Sequence, residues 1–522
     1  MSGYRAPLTA FSTVVLFIIV AFSATLTAAE EKAKPPSVIL FKNVKVFNGT
    51  DDGLQDFDVL VVGNKIHKVS KDIPETGTWE VDPDTKASTR VYPRLSGDYE
   101  GDSRFTFLVR ETAGKTDRIE VSVHVIDGGG RTLMPGLIDA HVHLNMQFIG
   151  YGTDRGIQGA QLMTWEELGA LAYEATQEYL PAGVTTVRDL CGTSQGMRKH
   201  IDGGALEGPR VYVSGACVSA SSGHGDWRWD PNVLRLQKSY LETLGFTTLA
   251  DGADAVLAAA RNNLAGGADF VKMMSGGGVT SERDPLNSIQ GTPEELAAIV
   301  RATTDFGTIA AVHAYTDKSV QNAIRAGVKS IEHGNLMQDP KSFEMVAEAD
   351  AWIVPAMAAF APDILGHPYY GNPRFPAYVK TKRVQQNGET WVRLANENNV
   401  NLGFGSDVLA STKPVWRQSR DFQITQWGRA FGNFRTLKAM TSDNGKLMAL
   451  TGDMNPYPDA KLGVIEDGAY ADIILVDGNP LEDLSLLGGS SSMFGSEPRP
   501  TASVNTIPLV MKDGKIYKNM LN

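Results

Sequence analysis

Pro135-Gly136-Leu137-Ile138-Asp139-Ala140-His141-Val142-His143 closes an apolar stretch that begins at Leu133. Its end reads as entry into a buried strand. Side chains two apart on a strand leave from the same face, so His141 and His143 point the same way. They are then close enough to grip one metal ion, and imidazole suits zinc and other borderline metals. Two histidines alternating by accident on a strand would look no different. The rest of the chain has to separate the two readings.

Downstream of the pair, short apolar strands alternate with helical stretches, the rhythm of parallel βα units. Eight strands are predicted, at 137–143, 185–190, 210–214, 269–274, 309–314, 330–333, 351–357 and 401–405. Helices are predicted between them at 165–179, 253–264, 293–306, 318–326 and 341–349. Eight such units make an α/β fold of the (β/α)8 TIM-barrel type, here over residues 131–450. Its chemistry sits at the C-terminal ends of the strands.

The two flanks read differently. Val38-Ile39-Leu40-Phe41, Val44-Lys45-Val46-Phe47 and Asp58-Val59-Leu60-Val61-Val62 are short β-rich runs, with turns at Asn48-Gly49 and Gly63-Asn64. Asp472-Ile473-Ile474-Leu475-Val476 and the run 508–515, with its Asp513-Gly514 turn, resemble them. Residues 36–130 and 460–522 are expected to build one small β-sandwich module from both chain ends.

Length and composition agree with a barrel plus a smaller module: 522 residues, 42% hydrophobic and 21% charged. A net charge of −11 without a basic stripe excludes a nucleic-acid binder. Residues 1–29 read as a secretory signal peptide. Arg5 precedes the apolar stretch 8–24, and small residues follow at Thr27, Ala28 and Ala29. The apolar stretch is short beside the about 20 residues of a spanning helix. An exported protein, periplasmic or secreted and free of the membrane after cleavage, is expected. Only Cys191 and Cys217 are present, and both are expected as buried thiols rather than a bridge.

Polar, metal-capable residues recur where the predicted strands end. After His141 and His143 come Lys272, before Ser275-Gly276-Gly277-Gly278, then His313, His333 and Asp407. Chance burial explains any one of them but not the whole set at matching positions. His224, between Gly223 and Gly225 after the third strand, is a candidate to hydrogen-bond substrate or a developing oxyanion. Tyr315 and Arg228 are candidate substrate contacts, Arg228 as a carboxylate anchor. Arg188 reads as a structural partner.

Here the chain resembles the amidohydrolase superfamily over nearly its whole length after the leader. Residues 135–143 resemble its strand-one signature, 183–189 its second strand and 463–472 the return into the terminal sheet. Ser222-Gly223-His224-Gly225-Asp226 and 272–277 are similar to an imidazolonepropionase-related branch with prolidase-like and ochratoxinase-like amidases. The resemblance implies two divalent ions, most simply zinc: one on His141, His143 and Asp407, one on His313 and His333. It also implies that Lys272 bridges both. An ammonium cannot bind a cation. A buried lysine of lowered pKa can add carbon dioxide to become an anionic, bidentate carbamate.

The implied activity is metal-assisted hydrolysis of an amide or peptide bond. The implied substrate is small and carboxylate-bearing: a dipeptide, an N-acyl amino acid or an ochratoxin-type amide. Asp407 would take the proton from water and pass it to the leaving amine. A homo-oligomer is expected. Three alternatives stand beside this reading. One is another bond class at the same site (lactone, phosphotriester or cyclic amide), since fold does not fix function. Another is a one-metal deaminase or imidazolonepropionase, which needs no bridging lysine. The third is a non-enzymatic relative, which should have lost ligands. The chain departs from its relatives in an insertion at about 77–117, which could serve as an extra hairpin, an oligomer contact or a lid.

Overall fold

All eight predicted central strands form in the computed structural model, at Leu137–Val142 (β1), Val184–Asp189 (β2), Arg210–Val213 (β3), Val271–Met274 (β4), Ala310–Thr316 (β5), Ser330–Leu336 (β6), Trp352–Val354 (β7) and Asn401–Leu402 (β8). The structure describes residues 37–75, 77–81, 104–110, 116–149, 159–160, 163–228, 238–367, 369–408, 411–490, 492–493 and 502–521. The chain divides into Met1–Pro35 and Pro36–Asn522. The first unit, with the expected leader at 1–29, lies outside the described residues. Among the described residues no helix is long and apolar enough to cross a membrane.

β1, β2 and β3 pair in parallel, in that order. β4 to β8 run in sequence order in a second parallel sheet, extended beside β4 by Cys217–Ser219 and Thr247–Leu249. Two backbone hydrogen bonds span the gaps between these sheets. Asp269 N donates to Val213 O (2.8 Å), joining β3 to the approach to β4, and Ala140 N donates to Phe404 O (2.9 Å), joining β1 to the segment after β8. One residue from each strand (Val142, Val187, Val213, Val271, Val312, Ile331, Ile353 and Leu402) enters a single hydrophobic core. Alternate positions such as Tyr212, Ala311, Trp352 and Val354 belong to a separate cluster, as the strand period of two requires.

Helices lie where capping residues precede good helix formers. In Pro293–Thr304, Thr292 Oγ1 accepts from Glu295 N at 3.2 Å, and the Glu295 carboxylate accepts from Thr292 N at 2.9 Å. Proline at the first helical position has no amide hydrogen to leave unpaired there. The sequence reading missed Pro376–Gln385 and Gly388–Glu397 between β7 and β8, and Lys413–Phe431 after β8. Pro376–Gln385 and Lys413–Phe431 carry many polar residues, and the short apolar face of Gly388–Glu397, formed by Trp391, Leu394 and Ala395, was passed over.

Both chain ends meet in one six-stranded sheet. Ile473–Val476 pairs antiparallel with Thr132–Pro135 on one side and with Leu509–Lys512 on the other. A second six-stranded sheet holds Val38–Lys42, Asp58–Val62, Lys65–Ser70 and Thr116–Asp127. Ile39, Phe41, Val59 and Ile66 of this sheet share a core cluster with Ile473, Leu475, Leu509 and Met511. The expected insertion adds strands to its edge: Arg104–Arg110 pairs antiparallel with Thr116–Asp127, and Gly77–Val81 pairs with Arg104–Arg110. Residues 82–103 and 111–115 of that insertion lie outside the described residues.

The two cysteines do not match their expected state. Cys191 and Cys217 form a disulfide, with Cα atoms 4.8 Å apart, inside the normal bridging range. Each was read alone, at its own strand end. The fold aligns those ends: Gly192 and Gly215 pair as an isolated bridge, and Cys191, at φ +77°, turns back towards the start of Cys217–Ser219.

Candidate active site

The C-terminal ends of the strands gather almost every residue singled out in the sequence. His141, His143, His224, Lys272, His313, Tyr315, His333 and Asp407 line one cavity of about 460 Å³. His141 Nε2 and His143 Nε2 are 3.2 Å apart. Asp407 Oδ1 stands 3.4 Å from the first and 3.2 Å from the second. Asp407 Oδ2 lies 3.6 Å from His333 Nδ1. The His333 ring neighbours His141 at 5.1 Å and His313 at 4.6 Å between centroids.

These atoms suit a divalent cation. Ligands of a tetrahedral zinc ion with bonds of about 2.0–2.1 Å stand about 3.3 Å from one another, close to the three distances above. Nδ1 of His143 and of His333 is buried without a hydrogen-bond partner. His313 Nε2 lies 3.2 Å from the Gly277 carbonyl, which can only accept, so the proton sits on Nε2 and the Nδ1 lone pair is free. His141 Nδ1 faces a Glu332 carboxylate oxygen at 2.9 Å, which leaves Nε2 to ligate. A ligand histidine commonly has its second nitrogen held in this way.

Burial sets the charges. It lowers the pKa of His141, and it drives His313 and His333 well below the ordinary histidine value. These imidazoles are therefore neutral, the form that binds metal. Burial brings the Lys272 ammonium down to about 8. It also pushes the carboxyls of Asp407 and Glu332 up, but their close polar and charged partners outweigh it and hold both well below the usual carboxylate range. For Asp407 the opposing groups are His141, His143 and His333; for Glu332 they are Arg188, Lys272 and His141.

The backbone is unusual at these positions. His333 (φ +76°) and Asp407 (φ +48°) both adopt left-handed conformations that a non-glycine residue rarely takes. In β6 the alternation would put Ser330 and Glu332 on one face and His333 on the other. The break at His333 brings its ring to the same cavity. Asp407 is fixed by its own backbone, whose N–H donates to His141 O at 2.9 Å.

His224 stacks on His313 with centroids 4.2 Å apart. Its Nδ1 meets Ser281 Oγ at 2.7 Å, and its backbone N–H donates to Gln290 Oε1 at 2.7 Å. Burial lowers its pKa to about 4. Tyr315 packs edge-on against His313 at 5.0 Å. Arg228 is not brought to this cavity. Its guanidinium holds Asp226 through two bonds, of 2.7 and 2.6 Å. Arg188 is paired with Glu332 at 2.7 Å.

Glu332 was missed in the sequence. The available signal was its place two residues after Ser330 and beside His333, in a strand that is buried throughout. Ser281, Asp284 and Gln290, which hold His224, sit in a polar loop that no periodicity marks.

Residues 132–517 match the profile of the amidohydrolase family. Ochratoxinase of Aspergillus niger is 28% identical over 402 residues, 74% of this chain and 75% of that protein. A crystal structure of an amidohydrolase is similar with a TM-score of 0.71 at 27% identity, covering 93% of this chain and all 100% of its own. A prolidase solved with N-methylphosphonate-L-proline is similar at a TM-score of 0.71 and 26% identity, covering 92% of this chain and 100% of that one.

Proposed function

The chain belongs to the amidohydrolase family and is a hydrolase acting on amide bonds; on that premise we propose that it cleaves the amide of a small, carboxylate-bearing substrate with two divalent ions. A dipeptide or an N-acyl amino acid is the expected substrate. The observation that carries this reading is the convergence of His141 Nε2, His143 Nε2 and Asp407 Oδ1 within 3.2–3.4 Å.

His141, His143 and Asp407 would hold one ion, most simply zinc, and His313 and His333 the other. Lys272, as its carbamate, would bridge them; its burial in β4, between Cys217–Ser219 and β5, favours the neutral amine that carbon dioxide requires. Bound there, the ions supply Lewis acidity to water and to the amide carbonyl. Asp407 takes the proton of the attacking water. As the carbon–nitrogen bond breaks, the same carboxyl passes that proton to the leaving nitrogen. His224 and Tyr315 face the reacting carbonyl and steady the charge on its oxygen.

The fold reading is part of the proposal. The bonds Asp269 N to Val213 O and Ala140 N to Phe404 O support closure of β1–β8 into one barrel. The two terminal sheets, sharing one core cluster, would form the sandwich of residues 36–130 and 460–522. Export after removal of residues 1–29 and assembly into a homo-oligomer complete the reading.

The test combines metal analysis with a substrate screen. Purified protein should carry two ions per chain, and a panel of dipeptides and N-acyl amino acids should release free amine. Asp407→Ala should fold normally and lose turnover by about 10²-fold or more. One ion per chain would favour the deaminase-type alternative, and retained activity would remove Asp407 from its role.

A further inference from the structure

Beside the histidine cavity lies a second one of about 720 Å³; Val279, Thr280, Tyr315 and Asp407 line both. It lies between the segments after β7 and β8. Its walls are mostly apolar, with Val384, Val408, Val415, Ile364 and Met493 among them. Among the described residues lining it, Asp407 alone carries charge at neutral pH, and Asp407 belongs to the metal end. His367 is neutral: burial lowers its pKa to about 4, and its Nδ1 accepts from Tyr369 N at 3.1 Å. Ser419 is fully buried, yet its hydroxyl has no hydrogen-bond partner although the residue lines this space.

We propose that this cavity is the specificity pocket of the enzyme, taking a bulky, uncharged and largely apolar group attached to one side of the scissile amide. The proposal rests on the amide-hydrolase reading above. Apolar walls favour aromatic and branched aliphatic groups in proportion to the area they cover. A carboxylate entering here would lose its water and find no cation among the described lining residues, and an ammonium would find only Asp407, which the metal end engages. A substrate carboxylate therefore belongs on the other side of the amide. The Ser419 hydroxyl offers one hydrogen bond to a neutral polar atom, so a phenol or a second amide is tolerated where an ion is not.

The test uses the metal-loaded wild-type protein and two matched series. In one, glycine carries acetyl, isovaleryl, 3-phenylpropanoyl, succinyl or 4-aminobutanoyl groups. In the other, an acetyl group is joined to Leu, Phe, Asp or Lys. In one of the two series the apolar members should exceed the charged ones by about 100-fold in kcat/KM. Calorimetry with 4-phenylbutanamide should show binding, and neither succinamate nor 4-aminobutanamide should compete. Val415→Trp, which fills the cavity, should weaken 4-phenylbutanamide about tenfold or more. Turnover of charged and apolar members within threefold in both series would overturn the pocket and leave amide hydrolysis standing. Charge-selective binding with no amide cleaved would keep the pocket and remove the hydrolase reading. Absence of 4-phenylbutanamide binding to the wild type would also overturn the pocket, whatever Val415→Trp does.

Discussion

Glu332 stands between His141 and Arg188, with one carboxylate oxygen 2.9 Å from His141 Nδ1 and the other 2.7 Å from the Arg188 guanidinium. Arg188 also donates to Ala140 O at 2.7 Å and to Ser330 Oγ at 3.0 Å. One buried carboxylate thus ties β6 to β1 and β2 and orients a candidate ligand. Glu332→Ala removes both functions. Metal affinity, read by chelator competition, should fall about 10–100-fold. Arg188 is then a buried cation without its partner, and stability in urea should fall by about 3–5 kcal/mol. Wild-type metal affinity together with wild-type stability would remove Glu332 from this role.

Gly278 makes room for His224. A Cβ at this position would overlap the His224 imidazole, and its φ is not in the left-handed region, so the backbone conformation does not itself call for glycine. Gly278→Ala should push the ring off its stack with His313. The expected result is a fall of about 10²-fold in kcat/KM with two metals still bound. Gly169→Ala is the control. It sits in the helix Trp165–Thr176 with open space around its Cβ position, so it should add up to about 1 kcal/mol of stability. Normal turnover in Gly278→Ala would show that His224 does not work in catalysis.

The sequence exposed the residues that obey simple periodicity and concealed those that depend on the path of the chain. His141 and His143 were legible because two-residue spacing on a strand needs no tertiary information. His313, Lys272 and Asp407 were legible because each is a polar residue within or just after a short apolar strand run. Glu332 and the loop residues Ser281 and Gln290 were not, because the partners of Glu332 are 144 and 191 positions away and those of the other two lie across a loop. Arg228 misled for a related reason. Its partner Asp226 is two residues away, and the sequence offered no sign that the pair would satisfy itself. The disulfide was hidden because it depends on strand order, which composition does not carry.

Lys512 supplies a pH test remote from the metal ligands. It is buried in the terminal sheet, where its ammonium donates to Gly208 O at 2.8 Å, among Arg210, Asp472, Asp513 and Asp202. Burial, followed by Arg210, lowers its pKa to about 8. The unfolded chain keeps this proton up to about pH 10.4. Between about 8 and 10.4 the unfolded state therefore binds more protons, so the native state gains stability as pH rises and loses it as pH falls back through 8. The gain approaches about 3 kcal/mol at most. Lys512→Met lacks it. Urea unfolding at pH 7.5 and pH 10 should show wild type gaining on the variant; parallel profiles would mean that Lys512 does not titrate in this way.

The Cys191–Cys217 bridge gives a prediction about both stability and redox state. It closes a separation of 26 residues, for which loop entropy amounts to about 3–4 kcal/mol. Cys191 lines the same cavity as His141 and His143, its N–H donates to Ser214 Oγ at 2.9 Å, and Cys217 starts the strand that leads to His224. Reduction, or Cys217→Ser, should therefore lower the unfolding free energy measured in urea by that amount and loosen the His224 side of the cavity before the strand ends that carry the other histidines. The unreduced protein, denatured in an alkylating reagent, should show no free thiol, because these are its only two cysteines. Two alkylated thiols would show the bridge absent. A bridge that forms and contributes this much favours an oxidising compartment, since cytosolic reductants would keep most such pairs open. That gives the proposed export a physical consequence that can be measured on the folded protein.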